Sequence, residues 1–296
     1  MPYTTLLWNK WEALFFNLMR IASPDWNAQY TFIYCIIWLL TTLQLCRFIS
    51  NAYIAYDWNS RVAVVWIAIL DAISEFPGSS WTQYIVSVVL ICFFYLWMLI
   101  SSATHKYLRW NVPVYFLSYL LKWIPSFLFM PLILPQLKMV FPCFSYSRES
   151  YTVHPFFDDL TCWEFSHIGL SILSFVLMST FIAISFAITL VFYNSQIPKA
   201  EQYRDNAMCA RVNNYPEAYL ILAKSLALIL FIASNSDSWR IALSIILTLT
   251  GLGLVYLNAL TLPFWDDAAQ SMYILQGMLC AWTGVIAFLT TVLNGT

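Results

Sequence analysis

The sequence predicts an all-α protein: a polytopic transmembrane helix bundle of about seven spans with amphipathic surface helices. Two observations carry this. Of the 296 residues, 61% are hydrophobic and 10% charged, against roughly 45–50% and about 25% in soluble domains. The apolar residues also fall into recurrent runs of membrane length, about 20 residues being enough to cross roughly 30 Å of hydrocarbon. A water-soluble domain could not hide this much apolar surface, whereas lipid solvates it directly. The net charge of −1, with no basic stripe, argues against a nucleic-acid partner.

Residues 1–29 carry Lys10, Glu12 and Arg20 scattered through apolar residues and lack the pattern of a signal peptide. Trp8 to Ile21 reads as an amphipathic surface helix leading into the first span. Crossings are expected at about 30–49, 83–102, 121–141, 168–192, 216–234, 240–262 and 270–293. Gln44 lies inside the first, where its amide is expected to bond a neighbouring helix. Arg61 to Phe76 is apolar for only about a dozen residues, which favours an interfacial or re-entrant helix. Asp71 and Glu75 share a face of it. The segment is either a surface helix with that face in water or a short span with that face lining a bundle interior or pathway.

Pro125, Pro131 and Pro135 forbid an unbroken ladder of backbone bonds through the third crossing. Lys122 is either an interfacial anchor beside Trp123 or an inward charge on a discontinuous helix. Lys224 follows Glu217 by seven residues, so both lie on roughly one face. It either reaches back to the near interface or forms a buried ion pair or counter-ion. Gly251 and Gly253 allow close helix approach in the sixth crossing. With no repeat or linker, residues 1–296 read as one membrane domain.

Orientation follows the Lys/Arg bias of short loops. With a cytosolic N-terminus, the inner segments hold Lys10, Arg20, Lys106, Arg109, Lys199, Arg204 and Arg211, and the outer ones Arg47, Arg61, Lys138, Arg148 and Arg240. Residues 193–215 then form a cytosolic polar loop, and 142–167 an extracytosolic loop holding Cys143 and Cys162. A bridge between these two is expected on the oxidising side, the alternative being two free interfacial thiols. It would close a loop worth on the order of 3 kcal/mol in the chain-entropy model.

Catalytic residues are not identified. No G-x-S-x-G, H-E-x-x-H, phosphate-loop or dinucleotide pattern occurs. His105, His154 and His167 fall near expected interfaces, which does not suit a bis-histidine haem. Cys162, His167 and Cys143 make only a C-x4-H with one distant cysteine, too few ligands for structural zinc. No cofactor and no metal are expected.

Several local patterns resemble one family. Leu128-Phe129-Met130-Pro131-Leu132 followed by Cys143, and then Cys162-Trp163 with His167, form a Pro-containing helix running into a cysteine loop. Phe192-Tyr193-Asn194-Ser195-Gln196-Ile197-Pro198 with Asp205, Ala207 and Arg211 form the next polar segment. Leu43-Gln44 and Leu262-Pro263-Phe264 are shorter echoes. Together these resemble the membrane region of the tiny macrocysts protein B-like family. Asn194 stands where that pattern has an acidic residue, Ile197 looks like an insertion, and the family's PAS-type domain is absent. The resemblance implies a membrane sensory or scaffold module and no reaction.

The leading expectation is a non-enzymatic integral membrane protein, a sensory or structural subunit that meets lipid and other membrane subunits or its own copies. The alternative is an ion channel or small-solute transporter using the Pro-broken helix with Lys122, Lys224, Asp71 and Glu75. The environment of Lys122 and Lys224 separates the two.

Overall fold

The computed structural model describes residues 31–50, 61–108, 127–145, 153–191, 215–233, 237–261 and 267–294. Among them the chain runs α1 (Thr31–Ser50), α2 (Arg61–Ser74), α3 (Ser80–Leu108), α4 (Phe129–Val140), α5 (Pro142–Ser145), β1 (Val153–His154), β2 (Phe157–Thr161), α6 (Phe165–Val191), α7 (Tyr215–Ala233), α8 (Asp237–Thr261) and α9 (Asp267–Asn294). The fold is all-α apart from the small hairpin, which stands in the cysteine loop where only irregular chain was expected.

Among the described residues five stretches are long and apolar enough to cross a membrane: Ser80–Ser101, Phe165–Leu190, Tyr215–Ile232, Ile241–Thr261 and Asp267–Val292. They coincide with five of the seven expected crossings. The other two, at 30–49 and 121–141, appear among the described residues as shorter apolar stretches, Cys35–Phe48 and Phe129–Phe144. At 1.5 Å per residue Phe129–Phe144 rises about 24 Å, short of a hydrocarbon core of roughly 30 Å, whereas the whole of α1 rises about 30 Å. Among the described residues five helices are thus of spanning length and apolarity, and a count of about seven is not shown. Lys122 and Pro125 lie outside the described residues.

Helix α4 is the axis of the bundle. Every one of its residues is buried, Gln136 and Lys138 included. It packs against α3, α6 and α7. Phe129 stacks on Phe181 of α6, and Phe181 meets Phe94 of α3 edge-on. Pro131 falls in the first turn of α4, and the N–H it lacks leaves the carbonyl of Phe127 to be met from outside the helix. The outward face of α3 is a stripe of Ile85, Val89, Phe93 and Leu96, all exposed, whose spacing places them on one side of the helix.

The link from α2 to α3 explains how the chain returns. Gly78, with φ +114, takes a backbone conformation that side chains disfavour. Ser79 then caps α3, its Oγ accepting from the Thr82 N–H at 3.3 Å. Gln83 in the first turns of α3 approaches Lys138 near the end of α4. Lys138 bonds Glu75, which also bonds Arg47 near the end of α1. The end of α1 and the start of α3 thus lie at one end of the bundle, so α2 makes no net crossing between them.

Helices α8 and α9 form the most extensive contact in the bundle. A Cβ on Gly251 would land on the backbone of Ala281 and 2.6 Å from the Gly277 oxygen. Gly284 faces the Thr248 backbone in the same way. Of the two glycines expected to permit close approach, Gly251 does so at this seam, whereas Gly253 faces the Tyr219 ring of α7. Gly251→Ala is expected to separate the two backbones and cost about 1–3 kcal/mol. Gly169→Ala, with nothing within 4 Å of the new atom, should be neutral. Thermal unfolding of both variants in detergent checks this; equal behaviour would refute the close seam.

Candidate functional site

The polar residues of the bundle gather around Gln44, which is fully buried in α1. In a helix the N–H of residue i bonds the carbonyl of i−4. Pro131 has no N–H, so the carbonyl of Phe127 loses its partner. Pro77 likewise cannot serve the carbonyl of Ile73 at the end of α2. Gln44 supplies both: its Nε2 donates to Phe127 O at 2.8 Å and to Ile73 O at 3.2 Å. Its Oε1 accepts from Lys224 Nζ at 3.3 Å. One amide thus ties α1, α2, the π-type turn at residues 127–128 and α7, and the two carbonyls and the ammonium fix which way it points.

Lys224 is 1% exposed. It does not reach back to an interface; it lies inside the bundle, halfway along α7. Glu217, one of the groups whose charge acts on it, accepts from the Tyr273 hydroxyl at 3.2 Å.

A charge cluster lies further toward the ends of α1 and α4. Arg47 Nε stands 3.2 Å from Asp71 Oδ1, and its Nη2 bonds Glu75. Lys138 Nζ donates to Glu75 Oε2 at 2.8 Å. The Arg47 guanidinium also lies over the Phe231 ring and Lys138 over Phe156. Two cations face two carboxylates, Asp71 in α2 and Glu75 just after its end. Burial pushes the Glu75 carboxyl up, but the Arg47 and Lys138 charges outweigh it and hold Glu75 below its ordinary value of 4.5. Arg47 and Lys138 count as loop charges in the sequence; here they are structural partners. The missed signal was their position on the same end of the bundle as Asp71 and Glu75, which sequence spacing does not reveal.

The cysteine loop forms a second constellation. Cys143 and Cys162 are bridged, with alpha carbons 5.6 Å apart, within the range for a disulfide. The hairpin turns through Pro155-Phe156, and the His154 Nδ1 accepts from the Phe156 N–H at 3.2 Å. Phe157 docks on Trp81 and Tyr84 of α3. Trp163, with φ 70, turns the chain into α6, and His167 one turn in approaches Met139 O at 3.2 Å and Cys143 Sγ at 3.4 Å. His154 and His167, expected near interfaces, are both buried, with rings 5.4 Å apart. Burial and then the neighbouring His167 pull His154 down to about 4, so its imidazole is neutral at neutral pH.

Gln44→Leu is expected to strand two buried carbonyls and cost about 2–4 kcal/mol, read as a lowered unfolding temperature; an unchanged value would show that the amide is dispensable. Glu75→Gln should cost about 2–3 kcal/mol, the low side of breaking a buried pair. Asp71→Asn, at a side chain 44% exposed, should cost under about 1 kcal/mol. A carboxyl held below its unfolded value adds stability that is full above pH 4.5 and lost as pH falls through its folded value. The wild type should therefore lose stability below pH 4.5 more steeply than Glu75→Gln, measured as unfolding temperature against pH.

Compared with known proteins, the chain matches no family model, no curated protein and no solved structure.

Proposed function

We propose that the chain is an integral membrane protein that conducts an ion or small solute through its polar core. The observation that carries this reading is Lys224, enclosed halfway along an apolar helix and held by Gln44. Ionisable groups at such depth are costly, and they commonly mark a pathway or a counter-ion site. Gln44 also binds the carbonyl freed by Pro131, and interrupted helices with exposed backbone carbonyls are the means by which transporters build sites at mid-depth. The catalytic patterns sought in the sequence supply no competing chemistry.

The full reading includes about seven crossings, the five apolar stretches together with those expected at 30–49 and 121–141. Removing Arg47 and Lys138 from the five outer charges leaves three, Arg61, Arg148 and Arg240, against seven inside. That bias favours a cytosolic N-terminus and an extracytosolic cysteine loop. A second reading, a sensory or structural subunit, draws on the family resemblance and on α3 and α9, whose crossing stretches are each 28% buried and leave broad apolar faces. Native isolation with a stoichiometric partner and no flux would favour it.

The test is flux in proteoliposomes, using protons, potassium and chloride as probes. Wild-type vesicles should pass at least one probe well above empty vesicles. Lys224→Met should lower that flux about tenfold or more while the unfolding temperature stays close to wild type. Vesicles no more permeable than empty ones, or full flux through Lys224→Met, would overturn the reading.

A further inference from the structure

We infer that Cys143, Cys162, His154 and His167 form a closed zinc site when the disulfide is reduced. All four residues are 1–2% exposed. The ligand atoms of Cys143, His154 and His167 lie within 4.8 Å of one another, and Cys162 adds the sulfur bonded to Cys143. This is a Cys2His2 set, the composition of structural zinc centres. The sequence conceals it because His154 is brought in by the hairpin turn rather than by ligand spacing.

The geometry is near that of a tetrahedral site. Bonds of about 2.0 Å to nitrogen and about 2.3 Å to sulfur place neighbouring N and S roughly 3.5 Å apart and two sulfurs roughly 3.8 Å apart. Cys143 Sγ and His167 Nε2 are already 3.4 Å apart. The alpha carbons of the cysteines, 5.6 Å apart, leave room for the sulfurs to separate by side-chain rotation once the bond is broken. His154 Nε2 is buried in the cluster with no partner at full hydrogen-bond geometry, its weaker backbone contact being to Met139. Moving its proton to Nδ1 therefore turns Nε2 into a free ligand atom at the loss of no strong hydrogen bond there. Four soft and borderline donors in tetrahedral array select zinc over calcium or magnesium.

The chemistry balances as follows. A dithiol or phosphine reductant delivers two electrons to the S–S bond and is itself oxidised to a disulfide or phosphine oxide; two protons from solvent or the dithiol complete two thiols. Zinc then displaces both thiol protons to solvent. Each imidazole binds through Nε2, its proton moving to Nδ1; this gives up the Nδ1 contacts to the Phe156 and Trp163 amides at 3.2 and 3.4 Å and the His167 Nε2 contacts to Met139 O and Ser171 Oγ, each at 3.2 Å, leaving Ser171 Oγ to serve Met139 O at 3.4 Å. Two thiolates neutralise the divalent ion, so the loaded site carries no net charge and tolerates burial.

Full-length protein in detergent, reduced anaerobically with a phosphine, loaded with Zn2+ and desalted, tests this by metal analysis. About one zinc per chain is expected in the reduced protein, and under a tenth of that in the oxidised protein or in reduced His154→Gln, which keeps every thiol. Co2+ loaded in place of zinc should give the intense visible absorption of a tetrahedral thiolate site. Equal zinc in reduced wild type and His154→Gln, or a weak octahedral cobalt spectrum, overturns the proposal. Should His154→Gln not fold, the wild-type cobalt spectrum and zinc retention by the Cys143→Ser/Cys162→Ser variant decide it.

Discussion

The structure depends on one constraint: a carbonyl whose helical partner is a proline must find a donor elsewhere. In a low-dielectric interior an unmet carbonyl costs on the order of 1–3 kcal/mol, and here two such groups converge on the single amide of Gln44. This sets the distance between α1 and the start of α4, and it places the end of α2 beside them. With the donors of the amide engaged, its oxygen is left facing α7, where Lys224 meets it. The position of the buried cation therefore follows from the prolines.

The Arg47–Asp71–Glu75–Lys138 cluster works on a different principle. Its charges need one another more than the fold needs them, because desolvation offsets most of what the pairs gain. What the cluster provides is registry. Arg47 and Lys138 are the only charged residues of their helices, and each meets Glu75. Asp71, at the open edge, contributes little to this.

The fold was legible wherever apolar length alone decides, as in α3, α6, α7, α8 and α9. It was less legible at α4, because a proline-interrupted run reads as continuous hydrophobicity while its helix is short. Cys143 and Cys162 stood out as two cysteines in one polar loop, and the bridge follows from that. Gln44, Asp71, Glu75 and Lys224 could be picked out because polar groups in apolar runs are conspicuous. Their partners could not be, since Phe127 O is a backbone atom 83 residues away and Lys138 is 63 from Glu75. His154 was hidden for a related reason: a tight hairpin, absent from any helical pattern, carries it to His167.

The glycine seam between α8 and α9 bears on the order in which the molecule is assembled. These helices are consecutive, and their contact closes only a short stretch of chain, so the entropy lost in joining them is small. The Gln44 joint spans 180 residues to Lys224 and is entropically the more expensive closure. The seam is thus suited to form as an early, self-contained hairpin, with the polar joint closing after α7 has a partner on each side. Residues that look most like a functional centre in the finished protein are, in this sequence of events, also its last lock.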